Sequence, residues 1–151
     1  MREHRRSILC ARWLGALALL VLVAGCTVQY VAEHDRATEE EVLRLATAVD
    51  RFWGGLLATP ADERDYDAFR DDYNDIASDL RTLVLRSEVR PLNDAATEQA
   101  ELLVAQWQDS RDLHREADDF PDVRAERHRE QFARMFRAMA RGEEAKRGEV
   151  Q

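Results

Sequence analysis

The sequence contains very little cysteine and almost no pattern typical of β-strands. Only two of its 151 residues are cysteines, which is too few for a disulfide scaffold. The sequence also lacks a covalent haem motif, a glycine-rich phosphate loop, a nucleophile elbow and the helix motif of zinc proteases. Catalysis needs a clustered set of reactive groups, and the sequence contains no motif that predicts such a cluster. We therefore predict that the protein is not an enzyme and needs no cofactor.

An apolar segment near the amino terminus accounts for the position of one cysteine. Residues 2–12 carry four arginines and one glutamate, whereas residues 13–24 (WLGALALLVLVA) carry no charge. A basic stretch followed by an apolar run of this length is typical of a signal peptide, and the run is short for a permanent membrane span. No later apolar stretch in the sequence approaches the length of a span.

The apolar run ends in Val23-Ala24-Gly25-Cys26, which resembles the lipobox of bacterial lipoproteins. This resemblance implies that Cys26 accepts diacylglycerol, that the chain is cleaved before it, and that acyl chains such as palmitate anchor the protein. Cys10 would leave with the signal peptide, so no disulfide and no thiolate metal or redox site would remain. The alternative is an uncleaved membrane anchor with an incidental cysteine.

The resemblance to lipoproteins also implies a location. We expect a lipid-anchored protein of the bacterial cell envelope, which faces the periplasm from the outer membrane if the cell has two membranes, because Thr27 and not aspartate follows the cysteine. Arg5-Arg6 is similar to part of a twin-arginine signal, which leaves two export routes open. Residues 30–45 are similar to the mature amino termini of small, uncharacterised helical exported lipoproteins.

The charge of the chain limits its partners. Residues 1–25 hold four arginines and one glutamate, so the rest of the chain has a net charge of −11, compared with −8 for the whole sequence. An acidic surface of this kind repels nucleic acid and anionic lipid headgroups. We therefore predict no nucleic-acid partner, whereas a cationic partner is compatible with the charge, as is a solvated surface that binds nothing.

Four segments carry apolar residues at steps of three and four, which is the spacing of amphipathic helices. Thr38 and Glu41 have the spacing of a capping box, and Thr59-Pro60 is a favourable helix start. We predict helices over residues 39–57, from Thr59-Pro60 to before Pro91, from Asn93-Asp94 to about Ala117, and from Pro121 onward.

The short joints between these segments favour an all-α, up-down-up-down antiparallel four-helix bundle behind an N-terminal lipoprotein signal peptide. We assign residues 1–25 to the signal peptide, 26–37 to a lipidated tether, 38–143 to the bundle and 144–151 to a charged, frayed tail. A three-helix bundle with the fourth segment at its periphery is the alternative.

Two histidines are weak candidates for a metal site. Di-iron bundles carry Glu-x-x-His repeats, which this sequence lacks. His114 and His128 nevertheless fall near the inner stripes of the third and fourth segments, where antiparallel neighbours would bring them together. Two histidines also need carboxylate support to hold a metal, so we predict no metal site. We predict instead two ordinary polar layers at the end of the bundle, in which each imidazole bonds to a carboxylate.

Acidic and aromatic residues supply the candidates for an interaction surface. Asp67, Asp71, Asp75 and Asp79 follow at steps of four, which predicts one acidic ridge along the second helix. Like charges at this spacing repel, so we expect arginines, a cation or a basic partner to offset them. Trp53 adjoins the first apolar stripe, where it lies either at the edge of the core or in an exposed contact.

These features predict a non-enzymatic envelope lipoprotein. We expect its helical bundle to act as a protein-interaction or accessory module at the membrane surface, held there by acyl chains on Cys26, with an envelope protein as partner. The alternative is a lipoprotein that binds a cation or small ligand through the acidic ridge or through His114 and His128.

Overall fold

The computed structural model describes residues 31–148, so the predicted signal peptide, the lipobox-like stretch with Cys26 and the first part of the predicted tether lie outside the described residues. This part of the chain contains no strand and confirms the predicted all-α four-helix bundle. No helix within it is long and apolar enough to span a membrane. The helices are α1 (Arg36–Ala58), α2 (Tyr66–Glu88), α3 (Asp94–Ala117) and α4 (Asp122–Ala145).

Each helix packs against two neighbours, so that the four form a closed ring. α1 and α3 both contact α2 and α4. Asp50 of α1 bonds to Arg129 of α4, and Glu39 near the start of α1 pairs with Arg147 just beyond α4, so the first and last helices are antiparallel as well. The packing is most extensive between α1 and α4 and between α2 and α3. The alternative of a three-helix bundle with a peripheral fourth segment is therefore wrong.

The first helix begins earlier than the sequence predicts. Asp35 is its cap, because the Asp35 carboxylate accepts a hydrogen bond from the backbone nitrogen of Ala37. The predicted capping residue, Thr38, lies inside the helix, is fully buried, and donates its hydroxyl proton to Asp35 at 2.5 Å. Chiefly because of this bond, the pKa of Asp35 is lowered from its ordinary value.

The start of the second helix also differs from the prediction. The chain makes a short 3-10 turn over Ala61–Glu63 after Pro60, and α2 begins only at Tyr66, where Asp65 accepts from the backbone nitrogen of Ala68 at 3.1 Å. The loop is longer than predicted because the Arg64 side chain lies in the end of the bundle, where it donates to backbone carbonyls of Thr59 and Phe120. The third helix begins at Asp94, as predicted.

The last helix continues through Ala145, past the predicted end of the bundle at residue 143. The boundary of the tail was placed too early because Lys146 is buried, with only 7% of its surface exposed. Its ammonium group donates to Asn93 Oδ1 at 2.7 Å and to Glu143. The bond to Asn93 fixes the carboxyl end of α4 to the α2–α3 loop.

The two ends of the bundle differ in composition. At the end where α1 leads into α2 and α3 leads into α4, which we call the aromatic end, eight aromatic rings and two histidines form one network of ring contacts: Phe52, Trp53, Tyr66, Phe69, Tyr73, Trp107, His114, Phe120, His128 and Phe132. At the opposite end, which we call the polar end, the α2–α3 loop meets the carboxyl end of α4 and the segment before α1.

The segment before α1 packs on the polar end and does not extend the helix. Ala32 is buried, and its backbone nitrogen donates to the Leu92 carbonyl of the α2–α3 loop at 3.0 Å. Arg90 donates from the same loop to the backbone carbonyl of Glu33. Part of the predicted tether is therefore held against the bundle.

Candidate functional site

Trp53 lies in the core and not at an exposed contact. Its side chain is fully buried, and its ring lies 5.1 Å from Phe52, 5.2 Å from Phe120 and 5.3 Å from His128, measured between centroids. Its indole nitrogen has no hydrogen-bond partner among the described residues. The alternative in which Trp53 forms an exposed contact for a partner is wrong, because α4 and the α3–α4 loop cover its face.

Both ring nitrogens of His114 are already engaged in the core. Nε2 lies 2.8 Å from the backbone carbonyl of Arg64, and Nδ1 lies 3.3 Å from the Tyr73 hydroxyl. Because a carbonyl only accepts, Nε2 carries the proton and Nδ1 accepts from the tyrosine. Desolvation in the core raises the pKa of Tyr73, so the phenol remains a donor. No lone pair of His114 is left for a metal.

His128 bonds to a serine in a similar way. The Ser110 hydroxyl donates to the backbone carbonyl of Gln106 at 2.7 Å, so it accepts from His128 Nδ1 at 2.7 Å. Burial, with a smaller contribution from Arg124 and Arg127, lowers the pKa of His128 from 6.5. The imidazole is therefore held in its neutral form.

The two histidines do not form a pair. The ring of Phe120 lies between them, 5.2 Å from His114 and 5.4 Å from His128, edge-on to both. Neither imidazole bonds to a carboxylate of the described residues, so the predicted polar layers are wrong in that detail. Within residues 31–148, no group of three or more histidine, cysteine, aspartate or glutamate side chains is placed to hold a metal ion.

The four aspartates of the predicted ridge do not share one face of α2. An α-helix has 3.6 residues per turn, so each step of four residues drifts by roughly 40° around the axis. Asp67 and Asp71 are exposed and both pair with Arg70. Asp79 lies next to α1, where it accepts from Arg44 at 2.9 Å. The prediction of a single straight ridge is therefore wrong.

Asp75 and Asp79, the last two aspartates of the predicted ridge, line a groove between α1 and α2. Asp72, Asp75 and Asp79 form its acidic wall on α2, and the groove encloses about 440 Å³. We call this surface the acidic groove. The remaining lining residues are Ala48, Arg51, Phe52, Gly55, Phe69 and Ile76.

The floor of the acidic groove is apolar and its wall carries unpaired charge. Phe52 and Ile76 are more than nine-tenths buried, and the ring of Phe69 stacks edge-on against Phe52 at 6.0 Å. Neither Asp72 nor Asp75 has a hydrogen bond or ion pair with another residue of 31–148, whereas Asp79 is paired. The groove therefore offers two free carboxylates beside apolar surface.

The sequence predicted some of the residues that line the acidic groove and not others. Asp75 and Asp79 belonged to the predicted ridge, but Asp72 did not, because it breaks the spacing of four. Gly55 of α1 opens the groove, since a Cβ added there would meet no atom within 4 Å beyond the neighbouring backbone of its own helix. The signal that identifies Asp72 is its position three residues before Asp75, on the flank of α2 that faces α1.

Comparison of the chain with protein-family models, with curated proteins and with solved structures found no match.

Proposed function

We propose that the protein is a non-enzymatic lipoprotein of the bacterial cell envelope, whose four-helix bundle binds a basic, amphipathic segment of another envelope protein. The proposal for the location rests on the lipobox resemblance at Cys26, and the proposal for binding rests on the acidic groove. The outer membrane, facing the periplasm, is the proposed site if the cell has two membranes.

The observation that carries the proposal is the combination of free carboxylates with an apolar floor. A basic segment with apolar residues on one face would place cations against Asp72 and Asp75 and its apolar face over Phe69 and Ile76. Electrostatic complementarity of this kind gives specificity and speeds association. The net charge of the chain favours the same class of partner.

The packing of the segment before α1 supports a position close to the membrane. Since Ala32 is held on the α2–α3 loop, only five residues separate it from Cys26. An extended chain of this length reaches at most about 20 Å. With acyl chains on Cys26, this short length of chain would tether the bundle to the membrane, so the partner is sought at the membrane surface.

Binding is tested with a labelled helical Lys/Leu peptide and its Glu/Leu counterpart, added to the full chain in detergent. We expect the Lys/Leu peptide alone to bind. Asp72→Asn with Asp75→Asn should weaken binding about tenfold, a change of about 1.4 kcal/mol. Asp67→Asn with Asp71→Asn is the matched control, because it removes the same charge from the same helix outside the groove. Equal losses in the two double variants would contradict a specific site.

A steric variant tests the same site without changing its charge. Gly55→Leu places a side chain in open space within the groove, so it should block the peptide while the bundle remains folded. The helix content by circular dichroism checks the fold. Undiminished peptide binding by a folded Gly55→Leu variant would show that the groove is not the site.

The location is tested by intact mass and membrane fractionation of the wild type and of Cys26→Ser. We expect a wild-type chain that begins at Cys26, carries the added mass of acyl chains and sediments with membranes. The Cys26→Ser chain should lack that mass. An uncleaved and unacylated wild type would overturn the lipoprotein assignment while leaving the groove to be judged by its own test.

A further inference from the structure

The α2–α3 loop at the polar end exposes a cluster of apolar side chains. Val89 is 79% exposed, Leu92 is 52% exposed, and Pro91, which precedes Leu92, is exposed as well. We call these three residues the apolar tip. Single exposed apolar residues are common on protein surfaces, whereas a group of them at the end of a bundle is a feature of contact surfaces.

Leu92 is held in a strained backbone conformation. Its φ angle is 59°, in the left-handed region that glycine adopts far more readily than leucine. Burial of the side chain does not offset this strain, since about half of it is exposed. Strained residues tend to occur at binding sites, so this position favours a role for the Leu92 side chain outside the bundle.

The backbone of the same loop is fixed to the bundle. The Asn93 side chain is buried, donates to the Ser87 carbonyl at 3.0 Å and accepts from Lys146 Nζ at 2.7 Å. The Leu92 carbonyl accepts from the backbone nitrogen of Ala32 at 3.0 Å. The apolar tip is therefore presented on a fixed support, which reduces the entropy that is lost when it binds.

The position of the apolar tip indicates what it contacts. The tip lies beside Ala32, and the chain from Cys26 to Ala32 spans at most about 20 Å. Each helix has 23 or 24 residues and is therefore about 35 Å long. If Cys26 carries the proposed lipid anchor, this chain is too short for an upright bundle to have its polar end away from the bilayer.

The charge at the two ends favours the same orientation. Residues 86–94, which contain the apolar tip, carry two arginines and two acidic residues, so their net charge is zero. Residues 61–65 and 118–122, in the two loops of the aromatic end, carry six acidic residues and one arginine, a net charge of −5. Anionic headgroups repel such a surface, whereas the neutral loop approaches a bilayer without this repulsion.

We propose that the apolar tip inserts into the interfacial layer of the membrane to which the chain is anchored. This contact rests on the proposed membrane anchor but not on the acidic groove, which lies along the side of the bundle between α1 and α2. A small apolar contact binds a bilayer weakly by itself, but the anchor raises its effective concentration at the surface. The bundle would then stand on the membrane and leave the acidic groove open to a partner.

The test is the depth of a fluorophore on single cysteines introduced into the full chain, reconstituted in phosphatidylcholine vesicles. In the proposed mature form Cys10 is removed and Cys26 is acylated, so the introduced thiol is the only free one. Val89→Cys is compared with Val123→Cys, a valine that is 68% exposed at the aromatic end. Lipids brominated in their acyl chains should quench the label at position 89 about twofold and leave the label at position 123 unchanged.

A charged substitution tests whether the apolar character of the tip drives the contact. Leu92→Asp in the labelled Val89→Cys chain should abolish the quenching, because a carboxylate opposes insertion into the bilayer. Leu102→Asp, at a leucine that is 55% exposed on the side of α3, is the matched control and should leave the quenching unchanged. Circular dichroism verifies that both variants remain folded.

Three results would overturn the proposal. They are an unquenched label at position 89, equal quenching at positions 89 and 123, and quenching that survives Leu92→Asp. A label at position 89 that is shielded from water but not quenched by bromine would indicate a contact with protein and would overturn it as well.

Intact mass of the same preparations separates this contact from the lipoprotein assignment. An uncleaved and unacylated chain would overturn that assignment and place the anchor in residues 13–24, which also precede Ala32. Cys10→Ser with Cys26→Ser would then leave one thiol for the same measurement. Quenching at position 89 in such a chain would support the apolar tip without the lipid anchor.

Discussion

At the aromatic end of the bundle Arg64 is buried, and at the polar end Lys146 is buried, but the two cations are held by different kinds of acceptor. Arg64 donates to three backbone carbonyl oxygens, those of Leu57, Thr59 and Phe120, and to one carboxylate. Lys146 donates to two side chains, those of Asn93 and Glu143. Arg64 is thus held mainly by backbone carbonyls, and Lys146 by side chains alone.

This difference determines whether a second substitution restores the stability that is lost when the cation is removed. Backbone carbonyls cannot be removed by mutation, so the loss of Arg64 leaves the buried carbonyl of Phe120 and the partly buried carbonyls of Leu57 and Thr59 without this donor. A side-chain partner is removable together with the cation, so the loss of Lys146 is repairable at Glu143. The two ends should therefore respond differently to single and paired substitutions.

The largest effect is expected from the aromatic core. Trp107 is fully buried, packs against four other rings and donates to the Tyr73 carbonyl at 2.9 Å. Trp107→Ala should lower the free energy of unfolding by about 3–5 kcal/mol, measured by urea unfolding. Leu43→Ala, at an exposed leucine, should change it by less than about 0.5 kcal/mol. A similar loss in both variants would contradict a core centred on Trp107.

At the aromatic end, Arg64→Met should lower the free energy of unfolding by about 3 kcal/mol, because each buried carbonyl without a donor costs roughly 1–3 kcal/mol. Adding Asp122→Asn should not restore stability, since the Asp122 side chain is 65% exposed and accepts only one of the bonds. Urea unfolding of the single and double variants checks this, and recovery in the double variant would show that the ion pair matters more than the carbonyls.

At the polar end, Lys146→Met should cost about 3–5 kcal/mol, because Glu143 is only 1% exposed and keeps only a 3.5 Å contact with Arg90. Glu143→Met with Lys146→Met should recover most of that loss, since apolar replacements of a buried ion pair are often neutral or stabilising. Glu143 Oε2 has no hydrogen-bond partner in the described chain, which favours the recovery. A double variant as unstable as Lys146→Met would contradict this contrast between the ends.

The pH dependence of stability is expected to come in part from the aromatic end. Because the pKa of His128 is lowered from 6.5 in the folded state, the unfolded chain binds a proton at higher pH than the folded chain. The free energy of unfolding should therefore fall as the pH drops through about 6.5, and level off below the folded pKa.

His128→Asn tests this origin of the pH dependence. The asparagine amide retains a donor for the Ser110 hydroxyl but does not titrate. Urea unfolding between pH 7 and pH 5 should show a smaller loss of stability for His128→Asn than for the wild type. Parallel curves for the two proteins would place the titration elsewhere.

Local sequence predicted the helices well because their apolar stripes must be buried. Val42, Leu45 and Val49 follow at steps of three and four, and all three lie in the core. The predicted start of α2 was wrong because the true start depends on Arg64. The acceptor of Arg64 at Phe120 lies 56 positions further along the chain. Spacing along one helix contains no information about such a contact.

The candidate site was predicted only in part for the same reason. Spacing identified Asp75 and Asp79, but the identity of the neighbouring helix decides which aspartates line a groove. The separation of His114 from His128 depends on Phe120, which lies in a loop and belongs to no helical stripe. Sequence alone places these residues near one another without showing what lies between them.

The smallest expected effect is a change in the free energy of unfolding that has opposite signs at the two ends of the bundle. Each end has one residue with a positive φ that is not glycine, Leu92 in the α2–α3 loop at 59° and Asp118 in the α3–α4 loop at 50°. Leu92→Gly should raise the free energy of unfolding by up to about 1 kcal/mol, because it relieves a strained conformation at an exposed side chain. Urea unfolding checks this increase.

Asp118→Gly should lower the free energy of unfolding by about 1 kcal/mol, because the aspartate tolerates this conformation and its carboxylate accepts from the Tyr66 backbone nitrogen at 2.9 Å. The relief of backbone strain in Asp118→Gly is therefore offset by the loss of a bond between the α3–α4 loop and the start of α2. Opposite signs for Leu92→Gly and Asp118→Gly are expected only if the Asp118 carboxylate stabilises the aromatic end through its bond to the start of α2. The same sign in both would show that backbone strain alone governs these positions.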